Sequence, residues 1–237
     1  MIEFLIVFLP LFGAIFAGCF IKFKESIFLQ FATTFCVGFS AILSWFLFFN
    51  LKDSYQIELL PWINAGDFSA QFAISIDKLS VLMFVVVNTV SAVVHTYSMG
   101  YMQKDKSKSR FFCYLSFFTF AMLILVCSRD LLQLFLGWEG VGLCSYLLIG
   151  FWFQKNSANL ASLKSFIVNR VGDFSFLIGI FAIYKTFGTV NFNDIAEGLS
   201  LASDKKILGV DAITFACIAL FFGSNCVRKV LNLICLH

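Results

Sequence analysis

Residues 131–152 read LLQLFLGWEGVGLCSYLLIGFW, and Glu139 is the only acidic or basic residue among these 22. As a helix rising about 1.5 Å per residue, the segment would be about 33 Å long, which matches the hydrocarbon core of a bilayer. An ionised carboxylate there costs at least ~2.5 kcal/mol if nothing pairs with it. The segment therefore predicts a membrane-spanning helix whose acid needs a buried partner, a water-filled pocket or a proton path.

The composition of the whole chain indicates a polytopic membrane protein. Of the 237 residues, 60% are hydrophobic and 13% are charged, whereas soluble domains carry about 25% charged residues. We predict an all-α membrane helix bundle, because an open strand leaves its backbone polar groups unpaired in lipid. Six apolar runs are long enough to span, and a seventh is too short to do so. The six spans are 4–21, 27–49, 79–99, 111–127, 131–152 and 163–187, and the partial seventh is 212–223.

The charges of the connecting loops predict an orientation. The loop 100–110 contains four basic residues and one acid, whereas the loops 50–76 and 188–211 contain an excess of acids. Lysine and arginine near helix ends favour the cytoplasmic or matrix side. We therefore expect the N-terminus outside and the loops after the first, third and fifth helices inside. The two long outside loops could form short amphipathic or hairpin caps.

A second group of polar residues lies in the sixth run, where residues 164–173 read KSFIVNRVGD. Arg170 and Asp173 are three residues apart and therefore share a helix face. One interpretation is an ion pair within this helix that neutralises itself. The other is that the pair sets the charge state of Glu139 across a helix contact.

Three further interpretations concern single residues. Glu139 is either a neutral buried carboxyl, bonded to Ser145, Tyr146 or a backbone carbonyl, or a proton-handling group. Lys164, near the predicted inner end of the sixth helix, either extends to the interface or relays protons. His95, late in the third helix, is either a satisfied interfacial histidine or a proton carrier.

The remaining polar and small residues favour packing over chemistry. Trp138 and Trp152 are interpreted as packing and interface residues. The eight cysteines include no C-x-x-C pair, so we expect no metal or iron–sulfur site in this chain. The fragment Gly140-Val-Gly142 lacks the third glycine and the preceding strand of a dinucleotide-binding motif. We expect no cofactor in this chain and no nucleic-acid partner.

Five segments carry a resemblance to a known family. They are SIDKLSVLM (75–83), HTYSMGYM (95–102), RFFCYLSFFTFAMLILV (110–126), LFLGWEGVGLCSYLLIGFW (134–152) and KSFIVNRVGDF (164–174). The stretch Ser75–Asp194 that contains them, about half of the chain, resembles the antiporter-like membrane subunits of proton-pumping NADH–quinone oxidoreductase, respiratory complex I. Within that family it is similar to the group called chain 5 or subunit L. Antiporter and membrane-bound hydrogenase subunits share the same core and are the nearest alternatives.

The resemblance implies a fold, residue roles and partners. The family fold has paired inverted five-helix repeats, each with one broken helix, and this chain would be its N-terminal half. Glu139 matches the family's acid on helix five, which pairs with a lysine on broken helix seven. Arg170 and Asp173 match helix-six residues coupled to the same channel.

The resemblance also places the redox chemistry elsewhere. NADH, FMN, iron–sulfur clusters and quinone are implied in partner subunits, so the implied partners are the other membrane subunits of complex I. The implied location is a bacterial cytoplasmic or mitochondrial inner membrane.

The end of the chain departs from the family pattern. The family continues from helix seven through a Gly-Lys-Ser-Ala-Gln segment and further helices, whereas residues 224–237 read SNCVRKVLNLICLH. Our hypothesis is a frameshift that hides the family's Lys-Ser-Ala-Gln in another reading frame under residues 228–232. Glu139 would then have no matched lysine, and we expect poor folding or no pumping by this chain alone.

The predicted domains follow from these boundaries. We predict an N-terminal helix pair with its external loop at 1–74, an incomplete proton-translocation core at 75–223, and a non-family tail at 224–237. The alternatives to a proton-translocating subunit are a non-functional truncated fragment, a cation/proton antiporter or hydrogenase subunit, and a small membrane scaffold or channel.

Overall fold

The computed structural model describes residues 1–20, 27–66, 68–199, 206–207 and 209–234. These residues are mainly helical, and the chain divides into two compact units. The first unit consists of Met1–Ile57 and Ile74–Cys127, and the second consists of Glu58–Ala73 and Ser128–His237. Each unit is described by itself.

Four long helices build the first unit. They are α1 (Ile2–Cys19), α2 (Ile27–Asn50), α3 (Lys78–Tyr101) and α4 (Lys108–Val126). Helix α1 packs against α2 and α4, and α2 packs against α3. Some of their buried polar side chains bond to a neighbouring helix, which offsets part of the cost of removing them from water. Ser40 Oγ donates to the Ile6 carbonyl at 2.7 Å, and Asn88 Nδ2 donates to Ser44 Oγ at 2.8 Å.

The second unit is built around the longest helix. Its elements are α5 (Leu131–Ile149), α6 (Asn156–Phe187), the short α7 (Phe192–Gly198) and α8 (Ala212–Ile234). Helix α6 packs against α8 and against α5. Glycines bring α6 and α8 together: a Cβ placed on Gly223 would lie 3.0 Å from the Gly172 carbonyl oxygen. Such close backbone approach is typical of membrane helix pairs.

Two hairpins accompany the helices. The larger pairs β1 (Tyr55–Ala65) with β2 (Phe68–Ile76), so the hairpin alternative for the loop 50–76 is confirmed. The smaller pairs β3 (Lys206–Ile207) with β4 (Val210–Asp211) in antiparallel register. The all-α prediction is therefore correct for the membrane-spanning part and incomplete for the loops.

Six of the described helices, α1 to α6, are long and apolar enough to cross a membrane, which confirms the six predicted spans. Most boundaries differ from the prediction by up to three residues, and two differ by more. Helix α6 begins at Asn156, about two turns before residue 163, and α8 continues to Ile234 instead of ending near residue 223. Hydropathy locates the apolar part of a helix, whereas the backbone continues as helix through polar turns that hydropathy excludes.

Candidate functional site

Glu139 is bound by an arginine of the neighbouring helix. Arg170 Nη1, on α6, donates to both carboxylate oxygens of Glu139, on α5, at 2.7 and 2.8 Å. The Glu139 side chain is 24% exposed and the Arg170 side chain 53%. Ser145, the alternative partner for the acid, donates instead to the carbonyl of Val141 on its own helix. Glu139 is therefore held by a cation across a helix contact.

Asp173 is a second acid beside Arg170. Glu139, Arg170, Asp173 and the neighbouring Trp138 are together called the acid group. Its Oδ2 lies 3.9 Å from Arg170 Nη1, and its side chain is only 8% exposed. The predicted pair within α6 therefore exists, but it is much longer than the contact between Arg170 and Glu139. Two carboxylates share one guanidinium, so the group carries one excess negative charge when both acids are ionised. A single proton bound to either acid neutralises the group.

Trp138 joins the group through its indole, a role that sequence reasoning missed. Its Nε1 donates to Asp173 Oδ1 at 3.0 Å, and its ring stacks on Phe176 with centroids 5.7 Å apart. A buried indole N–H needs an acceptor, and one helix turn of α6 offers a carboxylate. That requirement was the available signal, but it does not identify which acid lies opposite Trp138.

Contacts along α5 and α6 show how the two helices lie together. A Cβ placed on Gly150 would lie 3.1 Å from Ser162 Oγ, and one placed on Gly142 would lie 3.9 Å from Asn169 Nδ2. Between these two points the ring of Tyr146 contacts Phe166 at 5.4 Å. Residues later in α5 contact residues earlier in α6, so the two helices are antiparallel. Glu139 therefore lies opposite Arg170.

A polar stripe runs along the buried side of α6 from its first turns to the acid group. Its members, spaced three or four residues apart and all nine-tenths or more buried, are Ser162, Ser165, Asn169 and Asp173. Within the described residues, Ser165 Oγ and Asn169 Oδ1 have no hydrogen-bond partner. Buried polar atoms of this kind are the usual binding places of internal water. Beyond Asp173 the stripe becomes apolar, because Phe176 and Ile180 join a core with Leu131.

Lys164 does not join the acid group. Its side chain is exposed on α6 and forms no ion pair within the described residues. Because α6 begins at Asn156, Lys164 lies about two turns inside the helix, whereas the sequence placed it near the helix end. Its relay role stays a prediction.

His95 belongs to the other compact unit and is fully buried there. Its Nδ1 lies 2.8 Å from the Ser91 carbonyl, and its Nε2 lies 3.1 Å from Ser116 Oγ. A carbonyl only accepts, so Nδ1 carries a hydrogen and Nε2 accepts from Ser116 in the neutral ring. The histidine is satisfied, as one interpretation predicted, and its role as a proton carrier is untested.

The end of the second unit nearest the start of α5 contains a polar cavity of about 160 Å³. It lies between the Arg129–Asp130 corner, the hairpin residue Gln71 and the segment that carries Asn191 and Asp194. A backbone bridge links Asp130 to Asn191, and Arg129 Nη1 pairs with Glu58 at 2.5 Å. Acidic residues of the two predicted outside loops therefore meet at one end of this unit.

Asp130 caps α5 at the edge of this cavity. Its Oδ1 accepts from the backbone N–H of Gln133 at 2.7 Å. Burial of the carboxyl raises the pKa of Asp130, although the backbone hydrogen bonds and Arg129 oppose that rise. The side-chain amide of Gln133 accepts from the Ala73 N–H and donates to the Ala73 carbonyl on β2. The start of α5 is therefore clamped to the larger hairpin.

The described residues contain no cluster of three or more histidine, cysteine, aspartate or glutamate side chains that could bind a metal ion. The acid group is thus composed of two carboxylates, a guanidinium and an indole. With both acids ionised the group has one excess negative charge, so it can bind one proton and release it again.

Two family models match the chain. Residues 62–112 match the model described as NADH-ubiquinone oxidoreductase (complex I), chain 5 N-terminus. Residues 128–229 match the model described as NADH:quinone oxidoreductase/Mrp antiporter, TM. Together the two matches cover more than half of the chain and contain Glu139, Arg170 and Asp173. The second match also includes the first residues of the predicted tail 224–237, whose boundary, like that at residue 74, stays a prediction.

Individual relatives agree with the family models. The chain is 44% identical over 223 residues to NADH-quinone oxidoreductase subunit L of Rickettsia felis, covering 92% of this chain and 35% of the relative. It is 46% identical over 226 residues to NADH-ubiquinone oxidoreductase chain 5 of Triticum aestivum, covering 93% and 34%. The chain therefore spans about a third of the length of the curated relatives it matches.

A solved structure shares the fold. A chain of the membrane-bound sulfane sulfur reductase, an archaeal respiratory membrane complex, superimposes with a TM-score of 0.77. The sequences are 18% identical, and the match covers 93% of this chain and 43% of the other. At that identity the likeness concerns the fold alone.

Proposed function

The chain belongs to the family of antiporter-like membrane subunits of NADH–quinone oxidoreductase, and from this premise we propose that it takes part in proton translocation by such a complex. The observation that carries the proposal is the contact of Arg170 with Glu139 between two membrane-spanning helices. A charged pair in that position is costly to keep, and intramembrane ionisable groups most often mark ion or proton paths.

The acid group is the proton-loading point of this proposal. Glu139 and Asp173 compete for Arg170, and the group becomes neutral when one proton binds to either acid. When Arg170 turns towards one acid, the other is left without its cation, and a bound proton can take the place of that cation. Trp138 orients Asp173 through its indole hydrogen bond. A change in charge near Arg170 would thereby load or release one proton.

Protons reach the acid group along the polar stripe. Ser165 Oγ and Asn169 Oδ1 bind the waters that carry them from the α5–α6 connection to Asp173. The apolar residues Phe176 and Ile180 close the stripe beyond Asp173, which prevents a continuous leak. The two unpartnered polar atoms and the change from polar to apolar character support this path.

The partners and the orientation are part of the same proposal. The chain acts beside other membrane subunits, and NADH, FMN, iron–sulfur clusters and quinone are bound by partner subunits. The N-terminus lies outside, in the topology that the loop charges predict. The meeting of acidic loop residues around Arg129 and Asn191 supports a common outer end for these loops.

The proposal is tested in membranes that contain the respiratory complex assembled with this chain. We expect Glu139→Gln to lower NADH-driven proton uptake about tenfold or more, since it removes an acid–base group. NADH oxidation by a soluble artificial acceptor should persist, and blue-native electrophoresis with mass spectrometry should find the variant chain in the assembled complex. Glu197→Gln, on the exposed side of α7, is the matched control. An unchanged number of protons per NADH in Glu139→Gln would refute the proposal.

A subunit of a cation/proton antiporter is the second candidate, because the matching model for residues 128–229 also names the Mrp antiporter. The two candidates differ in the driving force. A sodium gradient alone should drive proton movement in the antiporter, whereas the respiratory subunit requires NADH oxidation. Proton uptake that is driven by sodium and insensitive to NADH would favour the second candidate.

A further inference from the structure

The turn between α3 and α4 is unusually basic. Residues 104–110 hold four of the basic residues of the described chain, and Lys104 and Lys106 are exposed. Lys104, Lys106 and Lys108 form no ion pair within the described residues. The one acid, Asp105, uses Oδ1 to accept the backbone N–H of Ser107 at 2.7 Å. Among the residues that the structure describes, the turn therefore presents three ammonium groups without a carboxylate bound to them.

Buried neighbours hold this turn in place. Met102 precedes it and Ser109 and Phe112 follow it, and all three are almost completely buried. Inside the turn, the backbone N–H of Asp105 donates to the Met102 carbonyl at 3.0 Å. The lysines thus extend from a fixed backbone, so binding an anion costs little ordering of the chain.

Two tyrosines extend the same region along the last turns of α3. The rings of Tyr97 and Tyr101 are 70% and 60% exposed and lie parallel, with centroids 6.1 Å apart. Tyrosine side chains at the end of a membrane helix favour the headgroup level of the bilayer. The tyrosines place the neighbouring lysines at the depth of lipid phosphates.

We propose that the basic turn (residues 103–108) and the Tyr97–Tyr101 pair bind the headgroup of an anionic phospholipid. The three ammonium groups, which pair with no carboxylate in the described part of the chain, complement a phosphate that lacks its own cation. This distinguishes an anionic lipid from a zwitterionic one. The exposed rings contact the glycerol and upper acyl region beside that phosphate. A lipid fits both halves of the surface, whereas a free phosphate ion uses only the lysines. This inference is independent of the proton-transfer proposal.

The test is native mass spectrometry of the full chain in detergent, titrated with phosphatidylglycerol or with phosphatidylcholine. The variant Lys104→Gln/Lys106→Gln/Lys108→Gln removes the three ammonium groups. The matched control removes the same charge elsewhere, with the three substitutions Lys52→Gln, Lys78→Gln and Lys185→Gln. Helical circular dichroism establishes that both variants are folded. We expect about a fivefold loss of phosphatidylglycerol affinity for each lysine removed from the turn.

Further measurements distinguish a bound lipid from a free anion and from a general effect of net charge. Binding of phosphatidylglycerol should weaken as salt is raised, and it should persist in the control variant. Tyr97→Ala/Tyr101→Ala should reduce lipid binding without creating phosphate sensitivity. Equal losses in the two lysine variants would overturn the proposal, as would equal affinity for phosphatidylcholine. Displacement of the lipid by millimolar inorganic phosphate would identify a simple anion site instead, and would also overturn it.

Discussion

Arg170 binds both carboxylate oxygens of Glu139 through one guanidinium nitrogen, at 2.7 and 2.8 Å, from the neighbouring helix. The same nitrogen lies 3.9 Å from Asp173, one turn away on its own helix. Arg170 therefore lies closer to Glu139, which is distant in the sequence, than to Asp173, which is three residues away. The contact between α5 and α6 therefore includes an ion pair as well as apolar packing.

The first prediction concerns the strength of that contact. A double-mutant cycle with Glu139→Gln and Arg170→Met should give a coupling free energy of about 1–2 kcal/mol, because charged hydrogen bonds are worth about 1.5–3 kcal/mol and Arg170 is half exposed. Thermal unfolding in detergent provides the measurement. The pair of Arg129 with the exposed Glu58 is the control and should give less than about 1 kcal/mol. Equal couplings for the two pairs would contradict the prediction.

The second prediction separates the two contacts of Trp138. Trp138→Phe keeps a ring for stacking on Phe176 and removes the hydrogen bond to Asp173. We expect a loss of about 1–2 kcal/mol in unfolding free energy, since a buried carboxylate loses a donor. NADH-driven proton uptake should also fall, because Asp173 is no longer oriented. Trp62→Phe, at an exposed ring on β1, should change neither quantity, and a similar loss there would count against a specific role.

Much of this arrangement follows from the sequence, because each membrane helix must satisfy its own backbone. Apolar run length located all six spans, and helical spacing indicated that Arg170 and Asp173 share a face. The sequence left open whether Arg170 pairs within its helix or with Glu139. The answer depends on how α5 lies along α6, which is set by packing across the contact, such as the close approach of Gly150 to Ser162.

The features that sequence reasoning missed depend on neighbours far away in the chain. The acceptor of the Trp138 indole could not be inferred from its position beside Glu139, because adjacent residues on a helix point in different directions. The acceptor, Asp173, lies on α6. The burial of His95 depends on α4, which supplies Ser116. The extension of α8 past Gly223 was hidden, because its polar residues reduce hydropathy without interrupting the helix.

The third prediction tests whether the polar stripe is wet. Cysteines introduced as Ser165→Cys or Asn169→Cys should react with a small, charged thiol reagent applied to membranes, because water at these positions carries the reagent and ionises the thiol. Phe176→Cys and Ile180→Cys, on the same side of α6, should stay unmodified. Peptide mass spectrometry assigns each label, and the buried native Cys144 is an internal control. Equal labelling of all four introduced cysteines would exclude a path that ends at Asp173.

The fourth prediction concerns pH and the cap of α5. Burial raises the pKa of Asp130 above its ordinary value of 3.8, so the folded chain binds this proton more tightly than the unfolded chain does. The stabilisation from this residue is therefore complete below pH 3.8 and is lost as pH rises through the raised pKa. Asp130→Asn keeps the cap but cannot ionise. Its thermal midpoint, relative to that of the wild type, should therefore increase as pH rises through the raised pKa of Asp130.

A second substitution at the same position isolates the capping role. Asp130→Ala removes the acceptor for the Gln133 N–H and should cost about 1 kcal/mol at every pH. Thermal midpoints of the three proteins, measured from pH 3.5 upwards at about half-unit steps, give both effects. A difference between Asp130→Asn and wild type that does not change with pH would show that the carboxyl is not perturbed in the folded protein.

The last prediction concerns the close approach of α6 and α8. A Cβ on Gly223 would lie 3.0 Å from both the Gly172 carbonyl oxygen and Phe176 Cβ, so the backbones must separate to accept it. Gly223→Ala should therefore lower the unfolding free energy by about 1–3 kcal/mol, as overpacking does. Gly38→Ala is the matched control on α2, where a Cβ meets no atom within 4 Å. It should stabilise by about 0.5–1 kcal/mol through helix propensity alone. Thermal unfolding in detergent gives both values, and a Gly223→Ala protein as stable as Gly38→Ala would mean that the two helices are not in backbone contact.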